Sequence, residues 1–305
     1  MRIDERIATG KGPSFSFEFF PPKTEAGTRN LEEALSALSP LDPTFVSVTY
    51  GAGGTTEQRR KTVDIVASIK QTHGLEAMAH FTCVGATVEE LRSTLDLMRD
   101  RGVENVLALR GDPPQGQSEW TATEGGLRYS RELVELIREE YDFAIGAACF
   151  PEVHIHATDA ESDLRYTKEK VDAGAGFLIT QLFYDNRCYY EFVEKAREIG
   201  IDVPIIPGIM PITNANQIRK ITSMCGADIP AQLQAELELR ADDPAAATDF
   251  GVAYATLQCA DLLANGAPGI HFYTLNRSPA TRAILSALRT LSPWTGQPGF
   301  SMSSA

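Results

Sequence analysis

The chain has 305 residues and a formal net charge of −13, from 28 basic and 41 acidic residues. This acidic balance argues against general nucleic-acid binding, which needs a basic surface, but a local cluster of cations could still bind a small anion. The five cysteines form no C-x-x-C pair, and the polar N-terminus lacks the apolar core of a signal peptide. No apolar run approaches the roughly 20 residues that span a bilayer. We therefore expect a cytoplasmic protein without a membrane segment.

A predicted β-strand followed by a predicted helix recurs eight times along the chain. A short helix at 3–10 comes first, and the strands are 15–20, 44–50, 77–83, 105–111, 143–149, 177–183, 204–210 and 269–275. Helices are predicted at 28–38, 57–73, 88–101, 130–141, 160–173, 187–199, 214–225, once or twice within 230–265, and at 279–291. Eight such units in about 250 residues predict an α/β fold, a single (β/α)8 TIM barrel over 1–293 with a flexible tail at 294–305.

Alternation within the first three strands predicts which side chains enter the barrel. Neighbouring strand residues point to opposite faces. In the first strand three phenylalanines share one face, which should pack on the helices and leave Glu18 inside, near the mouth of the barrel. The same reasoning places Thr49 and His80 inside. The fourth and sixth strands are too uniformly apolar for this test, so Arg110 and Gln181 are assigned to no face.

In a (β/α)8 barrel the active site lies at the carboxyl ends of the strands. The polar residues that close the predicted strands are therefore candidates for chemistry: Glu18, Thr49, His80, Arg110, Asp112, Gln181, Tyr273 and Arg277. Burial of Glu18 among aromatic side chains would raise its pKa and suit it to general acid catalysis, whereas the alternative is a structural carboxylate paired with a cation. Asp112 could equally be the surface partner of an arginine.

Two further patterns are weaker. The Gly-rich segment 51–54 could turn backbone N–H groups toward an anion, but it lacks the lysine of a Walker A loop and the spacing of the dinucleotide fingerprint. His154 and His156 could form a metal pair, yet no third ligand is evident, so we predict no metal site.

Taken in order, these segments resemble the methylenetetrahydrofolate reductase family. The resemblance rests on FSFEFFPPK (15–23), VSVTYGAGG (46–54), AHFTC (79–83), NVLALRGDPP (105–114), FPEVH (150–154), DLRYTKEKVDAGA (163–175), ITQLFYD (179–185), PGIMPIT (207–213) and HFYTLNRSPAT (271–281). It implies the catalytic barrel of a bacterial-type member, which reduces 5,10-methylenetetrahydrofolate to 5-methyltetrahydrofolate. In the family FAD carries the hydride, and NADH or NADPH donates it; the sequence does not distinguish the two donors.

The resemblance also implies roles for individual residues. Glu18 would be the general acid that helps to open the five-membered ring of the folate, and Asp112 would bind the pterin and tune the flavin. Folate binding would also involve Gln181, Tyr273 and Arg277. FAD would be held by Thr49, His80, Arg110, Phe150, Asp163, Tyr166 and Lys170.

Several positions depart from the family pattern. Phe150 stands where the family has tyrosine, Tyr166 where asparagine or histidine is common, and Ala215 where some bacterial members have a stacking phenylalanine; residues 154–156 replace the usual H-P-E. The alternatives are therefore the same reduction directly from the nicotinamide without a bound flavin, a flavin-free one-carbon transferase of folates or pterins, and a non-catalytic folate-binding protein. Family members often form dimers or tetramers, so a homo-oligomer is open as well.

Overall fold

Parallel strands form one sheet in the structure, a computed structural model that describes residues 1–50, 56–111 and 123–295. The strands are β1 (Ser14–Phe19), β2 (Phe45–Val48), β3 (Ala77–Thr82), β4 (Asn105–Leu109), β5 (Ala144–Cys149), β6 (Phe177–Thr180), β7 (Ile205–Ile206), β8 (Gly208–Ile209) and β9 (Gly269–Tyr273). They are hydrogen-bonded in the order β7-β6-β5-β4-β3-β2-β1-β9-β8. This is the predicted (β/α)8 barrel.

The seventh predicted strand is the place where the barrel closes. It is divided at Pro207, so that β7 pairs with β6 whereas β8 pairs with β9. Proline cannot donate to a strand ladder, and the Pro207 carbonyl instead accepts a hydrogen bond from His271 N at 2.9 Å. Because β7 and β8 are consecutive pieces of one strand, the switch of partner joins the two edges of the sheet.

Helices alternate with the strands as predicted. They are α1 (Ile3–Thr9), α2 (Glu25–Leu38), α3 (Thr56–Ser68), α4 (Val88–Asp100), α5 (Ser130–Glu140), α6 (Ala160–Ala173), α7 (Asn186–Glu198), α8 (Ala215–Cys225), α9 (Ala231–Glu238), α10 (Pro244–Ala264) and α11 (Pro279–Leu291). Local signals set several boundaries. Thr87 and Glu90 form a reciprocal capping box at the start of α4. Asp243 caps α10, with Pro244 in its first turn, and thereby separates α10 from α9.

Several strands end earlier than predicted, which changes the setting of three candidate residues. β2 ends at Val48, β4 at Leu109 and β6 at Thr180, so Thr49, Arg110 and Gln181 lie in the loops just beyond the strands. Gly111 has a φ of 89°, and a Cβ there would lie 2.4 Å from Val84 Cγ1. A left-handed, sterically crowded glycine ends the extended backbone at this point.

The strand faces follow the predicted alternation. Phe17, Val46 and Phe81 belong to the large apolar cluster that the strands form with the surrounding helices. Inside the barrel, the end from which the strands start is filled by a second cluster with Phe45 and Met78, and Ile3 of α1 joins it. The amino end of the barrel interior is therefore largely apolar, whereas Glu18 and His80 lie toward the other end.

Searched over the three described segments, no helix has both the length and the apolar character that crossing a bilayer requires. At the end of the last described segment, Pro293–Thr295 form one turn of 3-10 helix. Trp294 packs edge-on against Phe15, with ring centroids 5.8 Å apart. The remainder of the predicted tail, 296–305, lies outside the described residues.

Candidate active site

Glu18 is buried between two histidines at the carboxyl ends of the strands. Its Oε2 lies 3.2 Å from Nε2 of His80 on β3 and 3.4 Å from Nε2 of His271 on β9. The other ring nitrogen of His271, Nδ1, lies 2.7 Å from the hydroxyl of Ser16. His80 Nε2 has no hydrogen-bond partner among the described residues, so its contact with Glu18 is one of charge and proximity. Ser16, His271 and Glu18 form a connected polar chain inside the barrel.

The ionisation of Glu18 differs from the expectation drawn from the sequence. Burial on its own raises the pKa of this carboxyl, but the charge of His80 and the hydrogen bond from His271 outweigh burial and lower the pKa to about 2. The expected rise was wrong because it considered only the aromatic residues next to Glu18 in the sequence. With these two neighbours, Glu18 is an anion at neutral pH.

His271 is a site residue that the sequence reasoning did not single out. It is fully buried, and its ring stacks on Phe45 with centroids 6.0 Å apart. The alternation test, applied to the last strand, would have found it, since Ile270 and Phe272 pack outward and His271 shares the inward face with Tyr273.

Tyr273 spans the mouth from β9 to β6. Its hydroxyl donates to the carbonyl oxygen of Thr180 at 2.6 Å, and its ring lies edge-on to His271 at 5.4 Å. Gly208 makes room for this contact: a Cβ there would lie 2.4 Å from the Thr180 carbonyl oxygen and 2.6 Å from the Tyr273 hydroxyl. Because the hydroxyl is already bonded to the backbone, Tyr273 presents its ring rather than its hydroxyl to a ligand.

Gln181 lies in a small depression beyond β6 together with Phe150 and Glu152. Its Oε1 accepts a hydrogen bond from Leu182 N at 2.9 Å, which leaves the amide nitrogen as its outward donor. Glu152, a second residue that the sequence reasoning missed, has one buried carboxylate oxygen with no partner among the described residues. Burial raises the pKa of Glu152. An unsatisfied carboxylate beside Gln181 is a candidate for contact with a ligand.

A second polar site lies between β5 and α6, where a buried lysine of α6 contacts the end of β5. Lys170 Nζ donates to the carbonyl oxygen of Ala148 at 2.5 Å, and it lies 6.0 Å from the centroid of the Phe150 ring. Burial lowers the pKa of Lys170, with opposing contributions from Cys149 and Asp163. Asp163 in turn accepts a hydrogen bond from His154 N at 3.1 Å. This arrangement places a cation behind the loop that follows β5.

Several buried polar atoms at the carboxyl ends of the strands have no partner among the described residues. They include Thr49 Oγ1 just beyond β2 and Thr82 Oγ1 at the end of β3. Buried polar groups are ordinarily hydrogen-bonded, so a group of unpaired ones marks a place where a polar ligand would be bound. Together with Lys170, these atoms fit a polar, anion-bearing cofactor.

The remaining predicted site residues have more exposed settings. Arg110 is half-buried, and its Nε donates to the Gly111 carbonyl oxygen at 3.3 Å. Tyr166 is 50% exposed, with the Arg165 guanidinium over its ring at 5.3 Å. Arg277 is exposed on the turn after β9. The Gly-rich segment 51–54 and Asp112 lie outside the described residues, so their predicted roles stay predictions.

His154 and His156 lie next to each other, with ring centroids 5.4 Å apart. The backbone N–H of His156 donates to Nδ1 of His154 at 3.1 Å. Searched over residues 1–50, 56–111 and 123–295, the side chains contain no group of three potential metal ligands.

Known proteins resemble this chain over nearly its whole length. A family model described as methylenetetrahydrofolate reductase matches residues 2–289. The 5,10-methylenetetrahydrofolate reductase of Escherichia coli is 40% identical over 287 residues, which cover 94% of each chain. Methylenetetrahydrofolate reductase (NADH) 1 of Arabidopsis thaliana is 42% identical over 302 residues, or 94% of this chain and 51% of that one. The chain thus spans about half the length of the plant relative.

Among solved structures, an uncharacterised protein from Clostridium thermocellum has the same fold. It superposes with a TM-score of 0.63 at 16% sequence identity, and the match covers 94% of this chain and 98% of that one. That protein is described as binding two copies of 5-methyl-5,6,7,8-tetrahydrofolic acid. At this level of identity the likeness shows the fold alone.

Proposed function

The chain belongs to the methylenetetrahydrofolate reductase family, and from this we propose that it reduces 5,10-methylenetetrahydrofolate to 5-methyltetrahydrofolate. NADH or NADPH is the electron donor in this proposal, and FAD is the hydride carrier. The observation that carries it is the buried Glu18 carboxylate between His80 and His271 at the mouth of the barrel. The binding of a methylated tetrahydrofolate by a protein of the same fold is consistent with a folate substrate.

Glu18 is the proton donor in this proposal. Opening the five-membered ring of the substrate requires a proton on the departing nitrogen, and the carbon left on the other nitrogen then accepts a hydride. Glu18 is ionised beside its histidines, so a proton must reach Oε2 before it can act. A folate over the mouth would exclude water and favour the neutral carboxyl. His271 Nε2, at 3.4 Å, is positioned to deliver that proton when both ring nitrogens carry one, and the ring then keeps the proton on Nδ1 beside Ser16.

The Ser16 hydroxyl supports this transfer. It lies 2.7 Å from Nδ1 of His271 and therefore holds the ring with Nε2 directed toward Glu18. A histidine whose two nitrogens both have partners is fixed in orientation. The Tyr273 ring packs edge-on against the same imidazole, with centroids 5.4 Å apart.

FAD, when bound, would accept a hydride from the nicotinamide and transfer it to the folate. The residues proposed to hold it are Thr49, whose buried hydroxyl has no partner among the described residues, His80 beside Glu18, and Lys170 as a buried cation near Phe150. A cation suits the diphosphate of such a cofactor. Arg110, Asp163 and Tyr166 complete the proposed flavin site. Gln181 and Arg277 complete the folate site, together with Asp112 outside the described residues.

The test is the visible absorption spectrum of the purified protein without oxygen. We expect a flavin spectrum, as isolated or after addition of FAD, that bleaches with NADH or NADPH and recovers when methylenetetrahydrofolate is added. Reduction of folate by the nicotinamide without any flavin spectrum would favour the flavin-free reductase instead. Folate binding without turnover under either donor would contradict the proposed activity.

We also propose that the reaction takes place in a reducing compartment, the cytoplasm. All five cysteines are free in the structure. Burial raises the pKa of the Cys149 thiol to about 12, which keeps this thiol protonated and unreactive. Buried, unreactive thiols are typical of proteins that have no disulfide framework.

A further inference from the structure

A cavity of about 350 Å³ lies at the end of the barrel opposite to Glu18. It is lined by Ser14, the first residue of β1, by Thr44 just before β2, by the segment after α1, and by Arg289 and Trp294 at the C-terminal side. Small-molecule sites are commonly of this size or larger. None of the residues assigned to the candidate active site lines it.

The cavity collects positive charge on an otherwise acidic chain. Its lining includes three cations, Arg6, Lys11 and Arg289, and one carboxylate, Asp42. The two guanidinium groups donate to neutral backbone carbonyls, Arg6 to Thr44 at 2.7 Å and Arg289 to Asp42 at 3.3 Å. Lys11 makes no hydrogen bond or ion pair with any described residue, and none of the three has a described carboxylate within 4.0 Å. No carboxylate in the described part of the chain therefore pairs directly with these cations.

A buried polar group and an aromatic ring complete the lining. Ser14 is only 4% exposed, and its hydroxyl has no hydrogen-bond partner among the described residues. A buried hydroxyl without a partner is rare and calls for an explanation such as a bound ligand. Trp294 is half-buried and held edge-on by Phe15, so it offers the cavity a fixed aromatic surface.

We propose that this cavity binds a nucleoside monophosphate or a ligand of the same class, in which one molecule has both a phosphate monoester and a planar ring. A phosphate monoester bears about −1.5 to −2 charges at neutral pH, which matches the excess of cations over carboxylates in the lining. The cations of the lining can donate to the phosphate oxygens, and the ring can pack on Trp294. This site is separate from the nucleotide cofactors proposed for the other end of the barrel.

Tryptophan fluorescence tests the proposal, with adenosine monophosphate (AMP) as the probe. The chain has two tryptophans, Trp120 and Trp294, and Trp120→Phe leaves Trp294 as the reporter. We expect AMP to change this fluorescence saturably, and adenosine to bind at least tenfold more weakly because it lacks the phosphate. The same titration of Trp294→Phe should show no such signal.

Two charge-removing variants locate the phosphate. Lys11→Gln and Arg289→Gln should each weaken AMP binding fivefold or more. Lys195→Gln removes an exposed lysine elsewhere, and Arg197→Gln removes a guanidinium that likewise donates to a backbone carbonyl, that of Val203 at 3.1 Å. Both controls should bind AMP as the parent does. Lys11 is exposed and makes no hydrogen bond or ion pair with a described residue, so Lys11→Gln should fold normally. This variant therefore tests the phosphate site even if Arg289→Gln does not fold.

Three results would overturn the proposal. One is the lack of any AMP-dependent change in Trp294 fluorescence up to millimolar concentration. Another is equal affinity for adenosine and AMP. The third is an affinity in Lys11→Gln equal to that in Lys195→Gln, which would place the AMP elsewhere, such as at the mouth of the barrel.

Discussion

Glu18 Oε2 and His271 Nε2 lie 3.4 Å apart, although the two residues are separated by 253 positions in the chain. The contact arises because β1 and β9 are neighbours in the closed barrel, with Glu18 in register with Tyr273 and Ser16 with His271. The first and last strands thereby build one site. The contact makes Glu18 an anion that needs a proton from a neighbour before it can act as an acid.

Glu18→Gln should abolish folate reduction while leaving reduction of the flavin by the nicotinamide largely intact. The amide keeps the shape of the side chain but cannot donate the catalytic proton, and general acid catalysis is worth roughly 10²–10⁴-fold in rate. The two half-reactions can be followed separately by stopped-flow absorbance. Glu25→Gln, which changes an exposed carboxylate in the first turn of α2, should leave both rates unchanged. Folate reduction at the normal rate in Glu18→Gln would rule out Glu18 as the acid.

The contribution of Glu18 to stability should be lost in acid. Its pKa in the folded protein is about 2, below the ordinary value of 4.5. Stability that depends on the ionised form is therefore complete above pH 4.5 and decreases as the pH falls toward 2. The shift corresponds to roughly 3 kcal/mol. We expect the difference in unfolding free energy between the parent and Glu18→Gln, measured in urea, to shrink between pH 5 and pH 3. A difference that stays constant over this range would contradict the lowered pKa.

Gly208→Ala should destabilise the protein and disturb the mouth of the barrel. The added methyl group would lie 2.4 Å from the Thr180 carbonyl oxygen and 2.6 Å from the Tyr273 hydroxyl, so one of them must move. Overpacking of this kind costs about 1–3 kcal/mol. Gly12→Ala is a matched control because a Cβ there meets no atom within 4 Å. Urea unfolding measures the difference in unfolding free energy between the two variants. Equal values would show that the Tyr273–Thr180 contact can shift at little energetic cost.

Lys170→Met should separate the binding of the flavin from the stability of the fold. The buried ammonium has a carbonyl partner but no ion pair with a described carboxylate within 4.0 Å. An apolar side chain of similar length should therefore leave the free energy of unfolding unchanged or increased. A charge-assisted contact with the cofactor is worth about 1.5–3 kcal/mol, so the affinity for FAD should fall roughly 10–100-fold.

Lys168→Met is the control for that experiment. Lys168 lies on the same helix, but it pairs with Asp172 at the surface. Both variants can be titrated with FAD by absorbance and unfolded in urea. A normal FAD affinity in Lys170→Met would remove this lysine from the proposed flavin site.

Much of the framework was predictable because its signals are local. The Thr87–Glu90 capping box and the Asp243-Pro244 break depend on residues within a few positions of one another, and the structure has both. The inward position of Glu18 followed from the alternation of its own strand, which needs no knowledge of the neighbouring strands. Eight βα units then favoured one closed architecture.

What the sequence determined by itself is the barrel, its order of elements and the end at which the polar side chains collect. Only the tertiary structure decided the charge of Glu18, because His80 and His271 reach it from strands that are distant in the chain. The tertiary structure also decided the division of the seventh strand at Pro207 and the cation-lined cavity at the start of β1. Electrostatic interactions depend on separation in space, and that separation exists only once the strands have closed into a barrel.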